Sequence, residues 1–344
     1  MKKLEISNLK VSFNSVPVLH GINLSIARGE SIGIVGESGC GKSLTWLAAL
    51  RLTPSKAKLS GEVRLDGGEN IITSAIPYVE KIRGGRIAMI FQDPSSALNP
   101  VKTVGQQIKE AVILHRKLNK KQAKEEVLAL MNRVGIPDAK ARFDSYPHQF
   151  SGGQNQRLMI AMALAGAPDI LIADEPTTAL DATIQAQILD LLNELRRERN
   201  MGLVFISHDL GAVSQICDRI CVMYAGRIVE DSPTNSLFYR PRHPYTHGLF
   251  TSIPPFDGTR KRLVPIEGRV PEFQDNIKGC AFYPRCQFSL VCCNDEVPPL
   301  HTDCSDRLRS VACFNPKTHN VSAKKQNNNI LLNSDMTPNA PIGF

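Results

Sequence analysis

The sequence lacks any long apolar run. No stretch reaches the 18 or so apolar residues that a membrane-spanning helix needs, and the longest candidate, 158–173, is interrupted by Gly166, Pro168 and Asp169. We therefore expect that the chain itself does not span a membrane. It also lacks an apolar segment after Met1, so we expect no secretory signal and a cytosolic protein.

The sequence also has no long run of residues of one charge sign. The 41 basic and 33 acidic residues give a net charge of +8, and the Lys and Arg residues are scattered. Such an excess is compatible with an anionic membrane surface or nucleic acid but requires neither. The length of 344 residues exceeds one ordinary α/β domain and predicts a main domain plus an appendage.

The most informative stretch is a glycine-rich segment, 36–43, called here the glycine loop. An apolar run (32–35) precedes it and a helix-favouring run (44–50) follows it. In that setting, glycines let successive backbone N–H groups turn toward a phosphate, and the helix adds its positive end. Lys42 would reach the β- and γ-phosphates, and the Ser43 hydroxyl would bind Mg²⁺. The residues predicted to bind nucleotide here are Gly36, Glu37, Ser38, Gly39, Cys40, Gly41, Lys42, Ser43 and Leu44.

Further polar residues follow buried-strand patterns. The run 170–173 ends in Asp174 and Glu175, of which the first can hold Mg²⁺ and the second can accept a proton from water. Gln92 closes the apolar run 87–91, and His208 follows the strand predicted at 203–206. Side chains at the carboxyl ends of parallel strands are well placed to contact a ligand.

Other features flank these strands. Short strands are predicted at 4–6 and 11–13, where Phe13 either packs in a sheet or stacks on a purine. Helical spacing at 104–118 and 120–134 predicts an inserted helical segment. It is followed by Ser151-Gly152-Gly153-Gln154, which opens an apolar helix to Ala165; taken alone, this segment is as compatible with a flexible N-cap as with a functional motif.

In this order, over residues 1 to about 235, the motifs resemble those of the ATP-binding subunit of an ABC transporter. The resemblance implies an α/β fold: a P-loop NTPase core of ABC type with an antiparallel β subdomain and an inserted helical subdomain at about 93–166. The implied roles are Phe13 stacking on adenine, the glycine loop as Walker A, Gln92 as Q-loop glutamine and Mg²⁺ ligand, Ser151, Gly152, Gly153 and Gln154 as signature, Asp174 as Walker B aspartate, Glu175 as catalytic glutamate, Asp181 as D-loop residue and His208 as switch histidine. Phe150 departs from the usual Leu but is also apolar.

The resemblance also implies partners. Each ATP would lie between the glycine loop of one subunit and the signature of a second ABC ATPase, which we expect to be a paralogue. Two transmembrane permease subunits would contact the surface near 92–100, and a substrate-binding protein would act indirectly. These expectations place the chain peripherally on the cytoplasmic face of the inner membrane and involve no nucleic acid.

Residues 236–316 resemble the C-terminal extension of oligopeptide and dipeptide importer ATPases, at 238–246, 266–271 and a cysteine-bearing module. This resemblance implies ATP-driven peptide import. Import of nickel or another small solute is the alternative within the family, and a soluble ABC ATPase of DNA repair or the ribosome is a more distant one. The polar stretch 317–344 has no apolar periodicity and is expected to be disordered.

Four cysteines in this module suggest a metal site. Cytosolic thiols stay reduced, and Cys280, Cys286, Cys293 and Cys313 suit a tetrahedral thiolate site for zinc or an iron–sulfur cluster. Their spacing does not choose between these, and packed, metal-free thiols are a third reading. The resemblance favours a four-iron four-sulfur cluster with a structural role, so replacing Cys286 is expected to affect this module far more than ATP affinity. Cys292 is an alternative third ligand, and Cys304 is spare.

Overall fold

The computed structural model describes residues 2–178, 180–252, 265–273, 275, 277–303 and 306–317. Cys304 and the predicted polar tail beyond Lys317 lie outside these residues. The strands are β1 (Lys2–Phe13), β2 (Val16–Ala27), β3 (Ser31–Val35), β4 (Ala57–Leu65), β5 (Ile87–Ile90), β6 (Ile170–Asp174), β7 (Gly202–Ile206), β8 (Arg219–Tyr224), β9 (Arg227–Pro233), β10 (His301–Asp303) and β11 (Asp306–Val311).

The α-helices alternate with these strands or follow them. They are α1 (Lys42–Ala49), α2 (Ile76–Ile82), α3 (Pro94–Ala97), α4 (Val104–Arg116), α5 (Lys120–Arg133), α6 (Ala139–Arg142), α7 (Gly152–Leu164), α8 (Ala182–Arg199), α9 (Leu210–Ile216), α10 (Thr234–Tyr239) and α11 (Pro244–Thr251). None of the helices in the described ranges has the length and apolar character to cross a bilayer.

An eight-stranded sheet forms the centre of the fold, in the order β10-β11-β9-β8-β3-β7-β6-β5. The pairs among β8, β3, β7, β6 and β5 are parallel. Every residue of β3, β6 and β7 is buried, as expected for a parallel sheet covered on both faces. Along β6, Ile170 and Ile172 enter one hydrophobic core and Leu171 and Ala173 the other. The carboxyl ends of these strands therefore meet at one edge.

A second, three-stranded antiparallel sheet has the order β2-β1-β4. The two short strands predicted at 4–6 and 11–13 are one continuous strand, β1, which corrects that prediction. Its pairing with β4 shifts between Ser7 and Lys10, where Asn8 has a φ of 49°. A local bulge thus produces the break in the sequence pattern without ending the strand. Trp46 of α1 is 1% exposed in the core beneath this sheet.

Helices α4 and α5 lie between β5 and β6 in the chain and pack with α7. The helices predicted to reach residues 118 and 134 end slightly earlier, since Lys117 adopts a left-handed conformation with a φ of 50°. Asn119 begins α5 with a capping box, accepting from the backbone N–H of Gln122 at 2.9 Å. The run predicted to extend to Phe91 ends at Ile90, and Phe91 is 40% exposed.

The C-terminal extension continues the central sheet. Strand β11 pairs antiparallel with β9, placing Val311 opposite Glu230. Glu230, 1% exposed, accepts 2.8 Å hydrogen bonds from the backbone N–H groups of Arg242 and His243. The guanidinium of Arg309 donates to the same carboxylate at 3.2 Å. The extension therefore adds strands to the same sheet whose parallel strands carry the predicted site.

Candidate nucleotide site

The glycine loop connects the carboxyl end of β3 to the first residue of α1. Gly36 begins it with a φ of 154°, and a Cβ there would lie 2.3 Å from the carbonyl oxygen of Met223. No other residue fits this position without moving β8. Lys42 Nζ donates to the carbonyl oxygens of Gly36 and Glu37 at 2.9 and 3.2 Å. The cation is thus held against the first turn of the loop, where phosphate-binding loops present their backbone N–H groups.

Ser43 and Asp174 meet beside this loop. Ser43 Oγ donates to Asp174 Oδ1 at 2.9 Å, across the gap between α1 and the end of β6. Asp174 is 6% exposed, and this burial raises the pKa of its carboxyl, opposed by the hydrogen bond from Ser43. A hydroxyl and a carboxylate oxygen in one place are the hard ligands that Mg²⁺ prefers. The pair therefore fits a magnesium ion bound with nucleotide.

Glu175 is the centre of a polar cluster at the same sheet edge. Its Oε2 accepts from Gln92 Nε2 at 2.9 Å and from Thr178 Oγ1 at 3.0 Å, and its Oε1 lies 3.3 Å from His208 Nδ1. Glu175 itself has a φ of 47°, which turns the chain sharply after β6. The structure thus brings together three residues that the sequence placed on separate strands. Thr178 was missed, although a hydroxyl in the turn three residues after the glutamate was a signal for it.

The signature segment and Asp181 lie at two neighbouring helix starts. Ser151 Oγ accepts from the Gln154 backbone N–H at 3.3 Å to cap α7, and Asp181 Oδ1 accepts from the Ile184 N–H at 2.9 Å to cap α8. Gly153 lies so close to Ile184 that a Cβ would be 2.9 Å from its Cγ2. No hydrogen bond joins Ser151 or Asp181 to the glycine loop in the described part of the chain. Their predicted roles in binding nucleotide stay predictions for a dimer.

Phe13 lies at the end of β1, half-buried and packed at the margin of the core below the three-stranded sheet. It pairs across strands with Val16 and Ala57. These contacts agree with the first alternative, in which Phe13 packs in the sheet. Its contact with adenine stays a prediction.

The four predicted cysteine ligands line one small cavity, together with Phe282 and His243. Cys293 lines it and Cys292 does not, and the backbone N–H of Cys280 donates to the carbonyl oxygen of Cys293 at 2.8 Å. Burial raises the pKa of the Cys280, Cys286 and Cys313 thiols, that of Cys313 to about 12. As they are placed, no three His, Cys, Asp or Glu side chains among the described residues are arranged to hold a metal ion.

Two residues of the extension that the sequence did not single out for the site contact the glycine loop. The hydroxyl of Tyr245 accepts from the Glu37 backbone N–H at 2.9 Å. The guanidinium of Arg285 pairs with the Glu37 carboxylate, with Nη1–Oε2 and Nη2–Oε1 distances of 2.8 and 3.1 Å. No sequence motif indicated these contacts, because Tyr245 and Arg285 lie 208 and 248 residues from Glu37 in the chain.

This sheet and this grouping of side chains define a P-loop nucleotide-binding domain of the ATP-binding cassette class. Residues 19–178 match the family described as ABC transporter, and residues 229–293 match the family described as oligopeptide/dipeptide transporter, C-terminal region. The chain belongs to the ATP-binding subunits of ABC transporters, in the branch that carries this C-terminal region. The predicted family, the α/β fold class and the assignment as an ATPase are thereby confirmed.

Curated relatives are similar to this chain along almost their whole length. The dipeptide transport ATP-binding protein DppD of Bacillus subtilis is 47% identical over 318 residues, covering 91% of this chain and 94% of the relative. The oligopeptide transport ATP-binding protein OppD of Salmonella typhimurium is 44% identical over 317 residues, covering 91% and 93%.

Solved structures agree on the fold. A dimeric ATP-binding cassette bound to ADP and Pi superposes with a TM-score of 0.60 at 27% identity, covering 67% of this chain and 98% of that one. Part of an ABC transporter complex from Clostridium perfringens gives a TM-score of 0.60 at 30% identity, covering 69% and 90%.

Proposed function

We propose that this ATPase energises the import of dipeptides or oligopeptides through a membrane permease. The observation that carries the proposal is the combination of a complete cassette with the C-terminal region at 229–293. Relatives 44–47% identical over about nine-tenths of the chain are named as dipeptide and oligopeptide transport proteins. ATP binding would close the two ATPase subunits on each other, and hydrolysis would let them part.

In the proposed chemistry, positioning and charge neutralisation carry most of the catalysis. Lys42 and the start of α1 would neutralise the phosphates, and Ser43 and Asp174 would hold Mg²⁺, which when bound neutralises charge on the phosphate oxygens. Glu175 would accept the proton of the attacking water. The hydrogen bonds from Gln92 and Thr178 fix the direction of its carboxylate, and His208 would contact the γ-phosphate.

We further propose that hydrolysis requires a second ATPase subunit, a paralogue that completes each site with its signature. This is supported by the position of Ser151 and Asp181 at exposed helix starts, without hydrogen bonds to the glycine loop of the same chain within the described ranges. A cassette of the same fold is dimeric when bound to ADP and Pi.

The proposed permease contact is the surface that follows Gln92. Phe91 and Val101 are 40% and 79% exposed, and α3 lies between them in the chain. Phe91 also lines an apolar groove of about 310 Å³, together with residues that include Leu52, Ala97 and Met162. Such a groove suits a short helix of a transmembrane subunit. Binding of that helix would hold the chain peripherally on the cytoplasmic face of the inner membrane. A substrate-binding protein would act on the opposite side of the membrane.

Reconstitution tests the proposed substrate. The chain, its paired ATPase, the permease and the binding protein are placed in liposomes, and uptake of labelled dipeptides, longer peptides and Ni²⁺ is measured with ATP and with a non-hydrolysable analogue. We expect ATP-dependent peptide uptake without Ni²⁺ uptake. Uptake of Ni²⁺ alone would overturn the peptide assignment, and ATPase activity without any transport would overturn the transport assignment.

We also propose that Cys280, Cys286, Cys293 and Cys313 hold a four-iron four-sulfur cluster. The proposal is supported by the convergence of four thiols on one cavity and by the preference of iron–sulfur clusters for four thiolates. The four thiols match such a group in chemistry and number, and their side chains would have to move apart around it, because as placed no three among the described residues are arranged to hold a metal ion. Anaerobic purification followed by metal analysis and visible absorption should give iron and acid-labile sulfide near four per chain. One zinc ion per chain would refute the iron–sulfur cluster and support a zinc site. Absence of any metal would refute both the cluster and the zinc site.

A further inference from the structure

Glu37, the second residue of the glycine loop, is held by a charged side chain from the distant C-terminal extension. Arg285 Nη1 and Nη2 donate to Glu37 Oε2 and Oε1 at 2.8 and 3.1 Å, a bidentate arrangement. The Arg285 side chain is 6% exposed and that of Glu37 is 24% exposed. The pair is therefore largely shielded from water, where such a pair is more strongly coupled than at the surface.

The backbone of Glu37 is held by the same extension. Its N–H donates to the Tyr245 hydroxyl at 2.9 Å, and Tyr245 is completely buried. Burial raises the pKa of Tyr245, so the hydroxyl stays neutral. Tyr224 of β8 packs against Tyr245 with 4.6 Å between ring centroids and accepts from Arg285 Nη1 at 3.3 Å. Both the main chain and the side chain of Glu37 are thus fixed by partners outside the loop.

Arg285 is itself anchored within the extension. It ends the short 3₁₀ helix Tyr283–Arg285 and donates to the carbonyl oxygens of Glu267 and Ile266 at 2.9 and 3.2 Å. One guanidinium therefore ties three segments of the chain together. Because removing one partner of a buried pair leaves the other charge without compensation, the loop and the extension depend on each other.

This arrangement bears directly on phosphate binding. Lys42 Nζ donates to the carbonyl oxygens of Gly36 and Glu37, so a displaced Glu37 would also displace Lys42. A loop that is already ordered pays less conformational entropy when ATP binds. An unneutralised Glu37 carboxylate would moreover repel the anionic phosphates. By holding and neutralising Glu37, Arg285 reduces both the entropy lost on ATP binding and the repulsion of the phosphates.

We propose that Arg285 is a positioning residue for ATP: acting through Glu37, it fixes the first turn of the glycine loop, so the C-terminal extension sets the nucleotide affinity of its own chain. The inference rests on the proposed function only in that ATP is the ligand. It does not require a particular transported solute, and it does not require a metal in the cysteine module.

The test measures the Kd for ATP and the kcat and KM of hydrolysis for Arg285→Ala, Arg285→Lys, Glu37→Ala and the double alanine variant. We expect Arg285→Ala to weaken ATP binding about 3- to 30-fold while kcat at saturating ATP stays within about twofold, the pattern of lost uniform binding. Arg285→Lys should restore part of the affinity. In the Glu37→Ala background, Arg285→Ala should change the Kd by less than about twofold, because the two residues act as one unit.

Arg269→Ala is the matched control. It removes the same charge from the same extension, but Arg269 is 76% exposed and its ion pair is with Glu272 of the extension itself. Its Kd should equal that of the unchanged protein. If Arg285→Ala fails to fold, Glu37→Gln breaks the ionic pairing from the loop side, and it should then weaken binding while the melting temperature of the protein stays near that of the control.

Two results would overturn the inference. The first is an Arg285→Ala or Glu37→Gln variant that binds ATP as tightly as Arg269→Ala. The second is a double variant whose loss is the product of the two single losses. A chain that binds ATP normally but transports no peptide would refute the proposed function and leave this inference standing, so the two failures are distinguishable.

Discussion

Gln92 and Glu175, 83 positions apart in the chain, are joined by a 2.9 Å hydrogen bond from Nε2 to Oε2. They meet because β5 and β6 are neighbouring parallel strands, so the residues after their carboxyl ends lie side by side. Glu175 also contacts Thr178 and His208. Its carboxylate is therefore held by contacts from three directions, an arrangement that suits its proposed role as the base that faces one water.

Replacing Glu175 with Gln should preserve ATP binding and lower turnover by about 10²- to 10⁴-fold, because an amide cannot accept a proton. The variant should also accumulate as a closed, ATP-bound dimer. Single-turnover hydrolysis and size-exclusion chromatography with ATP measure the two effects. Glu125→Gln on the exposed face of α5 serves as the control, and hydrolysis near the normal rate in Glu175→Gln would refute the role of Glu175.

Gly152 and Gly153 should respond differently to alanine. A Cβ at Gly152 meets nothing within 4 Å, whereas one at Gly153 would lie 2.9 Å from Ile184 Cγ2. Gly152→Ala should keep or slightly raise the melting temperature of the single chain, since alanine favours helix by up to about 1 kcal/mol. It should lower ATP-dependent dimerisation and turnover at least about tenfold, because the added methyl group would face the nucleotide of the partner.

Gly153→Ala should instead lower the melting temperature of the isolated chain through the contact with Ile184. Thermal unfolding of both variants without nucleotide, followed by turnover of the paired ATPases, separates the effects. Normal turnover in Gly152→Ala would argue against a signature that contacts a partner's nucleotide.

Charge reversal at Asp93 tests the proposed permease surface. Asp93 is exposed, directly after Gln92 and before α3. Asp93→Lys should weaken assembly with the permease or uncouple hydrolysis from uptake, and should leave ATP affinity within about twofold. Co-purification with the permease and uptake in liposomes measure the outcome, with Glu125→Lys as the control. The surface assignment fails if Asp93→Lys loses ATP binding but still assembles normally.

Stability should depend on pH through His243. Complete burial lowers the pKa of His243 from 6.5 to about 3, and its Nδ1 accepts from the Tyr245 backbone N–H at 3.0 Å. Between these values the unfolded chain binds a proton that the folded chain does not. The free energy of unfolding should therefore fall as pH drops below about 6.5, by up to about 1.4 kcal/mol per pH unit.

His243→Asn keeps a capping acceptor but cannot titrate, so its free energy of unfolding should vary less between pH values of about 7 and 5. Chemical denaturation across this range gives the slopes. His148→Asn, at an exposed position, should retain the normal slope. If the free energy of unfolding varied equally with pH in His243→Asn and His148→Asn, the pH dependence could not be assigned to His243.

Local sequence patterns determined a large part of the fold. The buried runs at 32–35, 170–173 and 203–206 are strands because both faces of a parallel sheet are covered, which leaves no room for polar alternation. The Ser151 capping box and the end of α5 are also local, since each depends on residues within one turn. The bulge at Asn8 was misread because a register shift mimics a loop in the apolar pattern.

The sequence by itself determined which chemical groups are present: the glycine loop, the adjacent carboxylates, the capped helix starts and the four cysteines. Their types and order are local properties of the chain. Only the tertiary structure decided which of them meet, through strand order and the packing of the extension. It selected Cys293 over Cys292 for the shared cavity, and it brought Arg285 against Glu37. The expectation that replacing Cys286 affects this module far more than ATP affinity stays a prediction. No local pattern indicated the contact between Arg285 and Glu37, because the two residues are 248 positions apart in the chain and only folding brings them together.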